Sequence, residues 1–191
     1  MKNNSTDNTL SNSNSVAQAQ RDMRIGYGNG AVGMLVSGFV WFISSMVSLQ
    51  FSDHHAIWTL LIGGMFIFPL SVALAKIIKI RGAHSKGNPL GNLAMEGTVF
   101  MLMCLPIAFL LSFQHTEWFF QGMLLIIGGR YLTFASLYGN KIFWILGAAL
   151  GVAAYLLFAL NIQSFGSALT GSLIEIVIGI FVLVRFKRKE E

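Results

Sequence analysis

The sequence predicts an all-α, polytopic membrane protein, a bundle of six transmembrane helices, and three observations carry that reading. Charged residues make up 11% of the chain, against roughly a quarter in ordinary globular proteins. Hydrophobic residues make up 54%, although the first two dozen positions contribute almost none, so the apolar material has no soluble surface to hide beneath. Third, six apolar stretches alternate with short polar connections, and each is long enough to cross about 30 Å of hydrocarbon.

The opening stretch MKNNSTDNTLSNSNSVAQAQRD is rich in Asn, Ser, Gln and Thr and has no aromatic residue. It buries too little to offset the entropy of ordering and lacks the apolar core of a signal peptide. Residues 1–24 are therefore expected as a disordered cytoplasmic tail, 25–186 as the transmembrane domain and 187–191 as a charged cytoplasmic C-terminus.

The first span, 31–50, is free of charge. The second, 57–78, has Lys76 near its end, where the long stem can snorkel, and Pro69 inside it. The third, 92–113, contains Glu96, Cys104 and Pro106; the fourth, 118–138, contains Gln121 and Arg130. The fifth, 142–160, is uncharged and sets Gly147 and Gly151 on one face. In the sixth, 164–185, Ser167, Gly171, Glu175 and Gly179 recur at steps of four and share a face. Such small-residue faces let helices approach closely, within one subunit or in a homo-oligomer.

Gly28-Asn29, Gly91-Asn92 and Gly139-Asn140 each precede an odd-numbered span, and each is answered in the following span by a small pair. Those pairs are Gly63-Gly64, Gly128-Gly129 and Gly171-Ser172, at spacings of 35, 37 and 32 residues. This pattern raises the expectation of three repeated helical hairpins. The competing account is that Asn suits helix starts and Gly is common in membrane helices.

Lysine and arginine set the expected orientation. Arg21, Arg24, Lys76, Lys79, Arg81, Lys86, Lys141, Arg185, Lys187, Arg188 and Lys189 fall to one side, and the connections near 51–56, 114–117 and 161–163 have none. Both termini are expected in the cytoplasm of a cell membrane protein. The net charge of +5 is explained by lipid and topology, with no nucleic acid partner. Trp58, Trp118 and Trp144 fall at interfaces, whereas Trp41 falls mid-span and is expected to pack.

Glu96, Arg130 and Glu175 are the charges placed deeper in the spans. A charge near a membrane helix centre is costly, so an interior or water-lined place is expected for each. Glu96 lies roughly 6 Å and Arg130 roughly 12 Å from the cytoplasmic end at the α-helical rise, and Glu175 roughly 15 Å from either end. Adjacent spans and an arginine's reach make Glu96 with Arg130 the expected ion pair. Glu175 reads either as a proton-exchanging carboxyl on a transport path or as a helix-to-helix clamp.

Ser37, Ser44, Ser45, Ser71, Tyr131, Thr133, Ser136 and Thr170 could line a path, with Tyr131 and Thr133 beside Arg130. Membrane hydroxyls more often bond their own backbone. Outside the membrane, Asp53, His54 and His55 in one loop and His115 and Glu117 in another are ligand types for Zn, Mn or Fe, with no recognised spacing.

The function expected is a small transporter or channel-like permease moving a small solute or ion, protons included, by a site near the third, fourth and sixth spans. A solute-binding or accessory subunit of a larger complex is the alternative. A metal-binding protein or an intramembrane enzyme finds less support: Cys104 has no histidine at its depth, GYGNG lacks the full dinucleotide fingerprint, and no GxxxxGK[ST] is present. Nothing calls for a cofactor.

Overall fold

Three successive residues with positive φ, Gly28 (56°), Asn29 (54°) and Gly30 (75°), form a 3-10 turn that separates two helices. A left-handed backbone suits Gly and Asn and strains a β-branched residue. In the computed structural model, which describes residues 4–188, this turn joins α1 (Asn4–Tyr27) to α2 (Ala31–Gln50). There follow α3 (Asp53–Ile77), α4 (Leu90–Leu111), α5 (Thr116–Tyr138), α6 (Ile142–Ala159) and α7 (Ser164–Lys187), and no strand occurs among the described residues.

Local chemistry fixes the other boundaries. Ser52 caps α3 by accepting from the His55 backbone N–H at 3.3 Å. Asn88 accepts from Leu90 N at 3.0 Å and Asn140 from Ile142 N at 3.1 Å, so each starts the helix that follows it. Gly139, with φ 58°, closes α5 and returns its N–H to Ala135 O.

Residues 15–24 differ from the expected disordered tail. They are helical, and Met23 is buried with 2% of its surface exposed. Polar contacts replace the missing apolar burial: Gln20 Nε2 donates to Ser136 O at 2.7 Å and Arg24 Nη1 to Tyr138 O at 2.5 Å. Asp22 binds Arg81 and accepts from Ser85 N and Ser85 Oγ at 2.8 Å and from Asn88 Nδ2 at 2.9 Å. Positions 1–3 of the expected tail and 189–191 of the charged C-terminus lie outside the described residues.

The six helices α2 to α7 alternate in direction. One end gathers the 28–30 turn, residues 78–89, residues 139–141 and the end of α7. The other gathers residues 51–52, 112–115 and 160–163, linked by Thr116 Oγ1 to Asp53 Oδ2 at 2.9 Å and Gln121 Nε2 to Ile162 O at 3.2 Å. The basic residues of the described chain, Arg130 apart, lie at or near the first end.

Five helical stretches are long and apolar enough to cross a membrane: Ser15–Gln50, which contains α2, and α3, α4, α6 and α7. The chain is a multi-pass helical membrane protein. The remaining helix, α5, has 23 residues, about 34 Å at the α-helical rise, and runs the same end-to-end course. It carries Gln121, Arg130 and Tyr131 and is packed by α4, α6 and α7.

α2 packs mainly on α7 and α3, and α5 mainly on α6 and α4, while α5 and α7 meet at the centre. The three connected hairpins are therefore unequal. α5 with α6 and α7 with α2 form close contacts between successive hairpins, but α3 and α4 have no comparable packing and meet at Trp58 and Phe109, ring centroids 5.8 Å apart. Gly28 and Gly139 adopt positive φ, whereas Gly91 and Asn92 lie in the first turn of α4. The repeated letters do not mark one repeated conformation.

Candidate functional site

Glycine creates the interior site by letting α7 close on α2. A Cβ on Gly38 would stand 2.7 Å from Ile176 Cγ1 and 3.2 Å from Glu175 Cβ, and one on Gly171 would stand 2.8 Å from Leu124 Cδ2 and 3.2 Å from Trp41. Trp41 packs, as its mid-span place implies, with 1% exposed. The small-residue face of α7 is thus consumed within the subunit. On α6 a Cβ on Gly147 would stand 2.7 Å from Gly128 O of α5, whereas one on Gly151 would meet nothing within 4 Å.

Glu175 occupies the middle of this interface and is fully buried. Tyr131 Oη donates to Glu175 Oε1 at 2.9 Å, and buried Ser37 adjoins both. Glu175 Oε2 and the Oγ of Ser172 are buried without a hydrogen-bond partner. A buried polar atom left unpaired is costly and rare. One turn toward either end, packing seals the carboxyl in: Gly171 with Trp41 and Leu124, and Gly179 with Met34 and Leu35. Tyr131 itself stands in an aromatic wall, stacked on Phe143 at 6.2 Å and edge-on to Phe134 at 5.5 Å.

The sequence thus located Glu175 and Tyr131 without pairing them. It expected Glu96 to meet Arg130, and the structure corrects this. Among the described residues the ion pairs are Arg81 with Asp22 and His115 with Glu117. Glu96 is exposed, and Thr98, which does face Arg130, lies two positions on, about 200° around the helix. Arg130 Nη2 donates to Thr98 Oγ1 at 3.1 Å and Nη1 to Met101 Sδ at 3.3 Å, and the guanidinium lies 5.3 Å from the Phe134 ring centre. Its Nε is buried and unpartnered.

A family model described as "Family of unknown function (DUF7010)" matches residues 16–185. The chain belongs to this family. The matched stretch takes in the docked part of α1 as well as the bundle. No curated protein and no solved structure matches the chain.

Thr133 Oγ1 donates to Arg130 O at 2.7 Å, and Gly97 of α4 packs against it. Its hydroxyl is occupied by its own helix, as are those of Ser45, Ser71 and Thr170. Ser44 instead donates to Ala56 O of α3 at 2.8 Å. Gln121 uses its Nε2 donor on Ile162 O, with Oε1 buried and unpartnered.

The expected metal cluster does not assemble. Among the described residues no three His, Cys, Asp or Glu side chains come close enough to hold an ion. Asp53 accepts from Ser48 Oγ at 2.5 Å and from Thr116, His55 Nδ1 contacts Ser52 Oγ at 2.7 Å, and His115 Nδ1 lies 3.3 Å from Glu117. His54 is exposed. These residues cap and tie helix ends, and adjacent positions on a helix diverge by about 100°, which keeps His54 and His55 from converging.

Sequence reasoning missed Asp22 and its partners Arg81, Ser85 and Asn88. The sequence offered no spacing signal, because 60 or more positions separate the aspartate from Ser85 and Asn88.

Proposed function

We propose that this chain is a small, proton-coupled permease of a cell membrane, with both termini cytoplasmic. The observation that carries the reading is the Glu175–Tyr131 pair: an acid at mid-depth, sealed from both ends, with one oxygen bonded to the phenol and the other making no hydrogen bond. Such a group can hold a proton in an occluded state and release it when packing opens to one side. Alternating access through small shifts at glycine-lined interfaces supplies that opening. The chemistry on offer, one carboxyl, one phenol and an arginine on the neighbouring face, suits carrying rather than bond cleavage, so no enzymatic role is assigned. The basic end is placed in the cytoplasm on charge asymmetry.

The test is proton movement in proteoliposomes under an imposed pH gradient, with voltage set by potassium and valinomycin. The native chain is expected to move protons above empty vesicles, Glu175→Gln to abolish the flux and Tyr131→Phe to reduce it, each with a native elution profile. Undiminished flux in folded Glu175→Gln removes the carboxyl from the pathway. A native chain inert under every gradient, with Glu175→Gln unfolded, favours the helix clamp.

A further inference from the structure

We propose that Arg130 seats a monovalent oxyanion carried on a small apolar body, bound between α4 and α5; the inference rests on the permease reading and names its substrate class. A guanidinium stays charged at any accessible pH and presents five N–H donors in a planar fork. Here it lies eight residues into the bundle from the basic end, about 12 Å deep at the α-helical rise. Its protein partners are a hydroxyl, a thioether and an aromatic face, and its Nε is buried and empty-handed. No carboxylate lies within 4.0 Å among the described residues.

Every nearby titratable group is otherwise placed. Glu175 of α7 is bonded to Tyr131, whose side chain leaves α5 about 100° from that of Arg130. Tyr138 of α5 lies in the aromatic wall, and Glu96 of α4 faces away. A lone cation at this depth is costly. A ligand carboxylate or phosphate oxygen pair can take the unpartnered Nε–H together with a further N–H of the same fork, and removes that cost. One cation asks for one negative charge. The neighbouring Met101 and Phe134 suit an apolar remainder.

A direction of coupling follows. With Glu175 protonated the interior is net positive and favours the anion, and with Glu175 ionised the two charges already balance. By reciprocity the anion and the proton load together.

The experiment measures the thermal unfolding midpoint of the full chain in lipid nanodiscs. Benzoate is titrated into phosphatidylcholine discs, and in a second arm phosphatidylglycerol replaces part of the lipid. The native chain is expected to gain a few degrees from at least one anion, as ligand linkage requires. Arg130→Gln is expected to lose that gain relative to its own anion-free midpoint. Arg130→Lys, which keeps the charge without the fork, retains part of it and serves where Arg130→Gln is not recovered folded.

A response to benzoate identifies a free solute, and a response to phosphatidylglycerol alone identifies a lipid headgroup; both uphold the site. No shift in either arm, or an equal shift in the variants, overturns it. Because this readout needs no transport, Glu175-dependent flux without anion binding removes this inference alone. Anion binding in an inert chain removes the permease reading instead.

Discussion

Glu175 and Arg130 are both charges inside apolar helices, and single residues around them decide their different fates. Glu175 faces a glycine-backed interface and obtains a phenol, while Arg130, one position from that phenol on α5, is turned toward α4 and obtains a hydroxyl and a sulfur. The glycine that brings Trp41 and Leu124 onto α7 is as consequential as the acid. Gly171→Val is expected to destabilise the bundle by about 1–3 kcal/mol through overpacking. Gly64→Ala, where a Cβ meets nothing within 4 Å, is expected to be neutral or slightly stabilising. Thermal unfolding in detergent checks both, and equal midpoints for the two variants would show that α7 does not depend on this close approach. The depth of each charge was legible in the sequence because depth follows from counting residues. Its partner was not, because a partner depends on the rotation of each helix, and two positions along α4 separate exposed Glu96 from Thr98 at the site.

Elements rich in apolar residues were legible almost to their ends: the expected spans 31–50 and 142–160 correspond to Ala31–Gln50 and Ile142–Ala159. α1 was not, because its stability comes from hydrogen bonds to distant loops rather than from an apolar face. Asp22 ties it to residues 81–88, while Gln20 and Arg24 tie it to the end of α5. α1 thereby braces the two connections on the basic end, 78–89 and 139–141. Asp22→Ala removes the acceptor shared by Arg81, Ser85 and Asn88, and is expected to speed amide exchange several-fold over residues 16–27 and 78–89. Exchange within α5 and α6 should change little. Hydrogen–deuterium exchange read by mass spectrometry measures this, and unchanged protection of residues 16–27 would place the anchoring of α1 in Gln20, Arg24 and Met23.

At the scale of the whole molecule, the hairpin pattern describes the connectivity and fails for the packing. Two of the three hairpin-to-hairpin seams are closed by glycine, Gly128 with Gly147 and Gly171 with Trp41, while the third, between α3 and α4, lacks an equivalent close approach. The same two helices contain Pro69 and Pro106 and are the least buried candidate spans, with 11% and 6% of their most apolar windows inside the bundle. A proline removes one backbone hydrogen bond and loosens the helix locally, so bending of these two helices is expected to accompany the shifts at the glycine-lined seams. The orientation proposed for the bundle rests on charge. The end holding Arg24, Arg81, Lys86, Lys141 and Arg185 should face the cytoplasm, because basic residues beside membrane spans are retained there. With Cys104 replaced by serine, Lys86→Cys and Gln114→Cys place single thiols on exposed positions at opposite ends. A membrane-impermeant maleimide applied to intact cells is expected to label Gln114→Cys and to reach Lys86→Cys after permeabilisation. The reverse pattern would put the α1 brace outside the cell and turn the proposed proton-loading direction around, while leaving the Glu175–Tyr131 pair at the same depth.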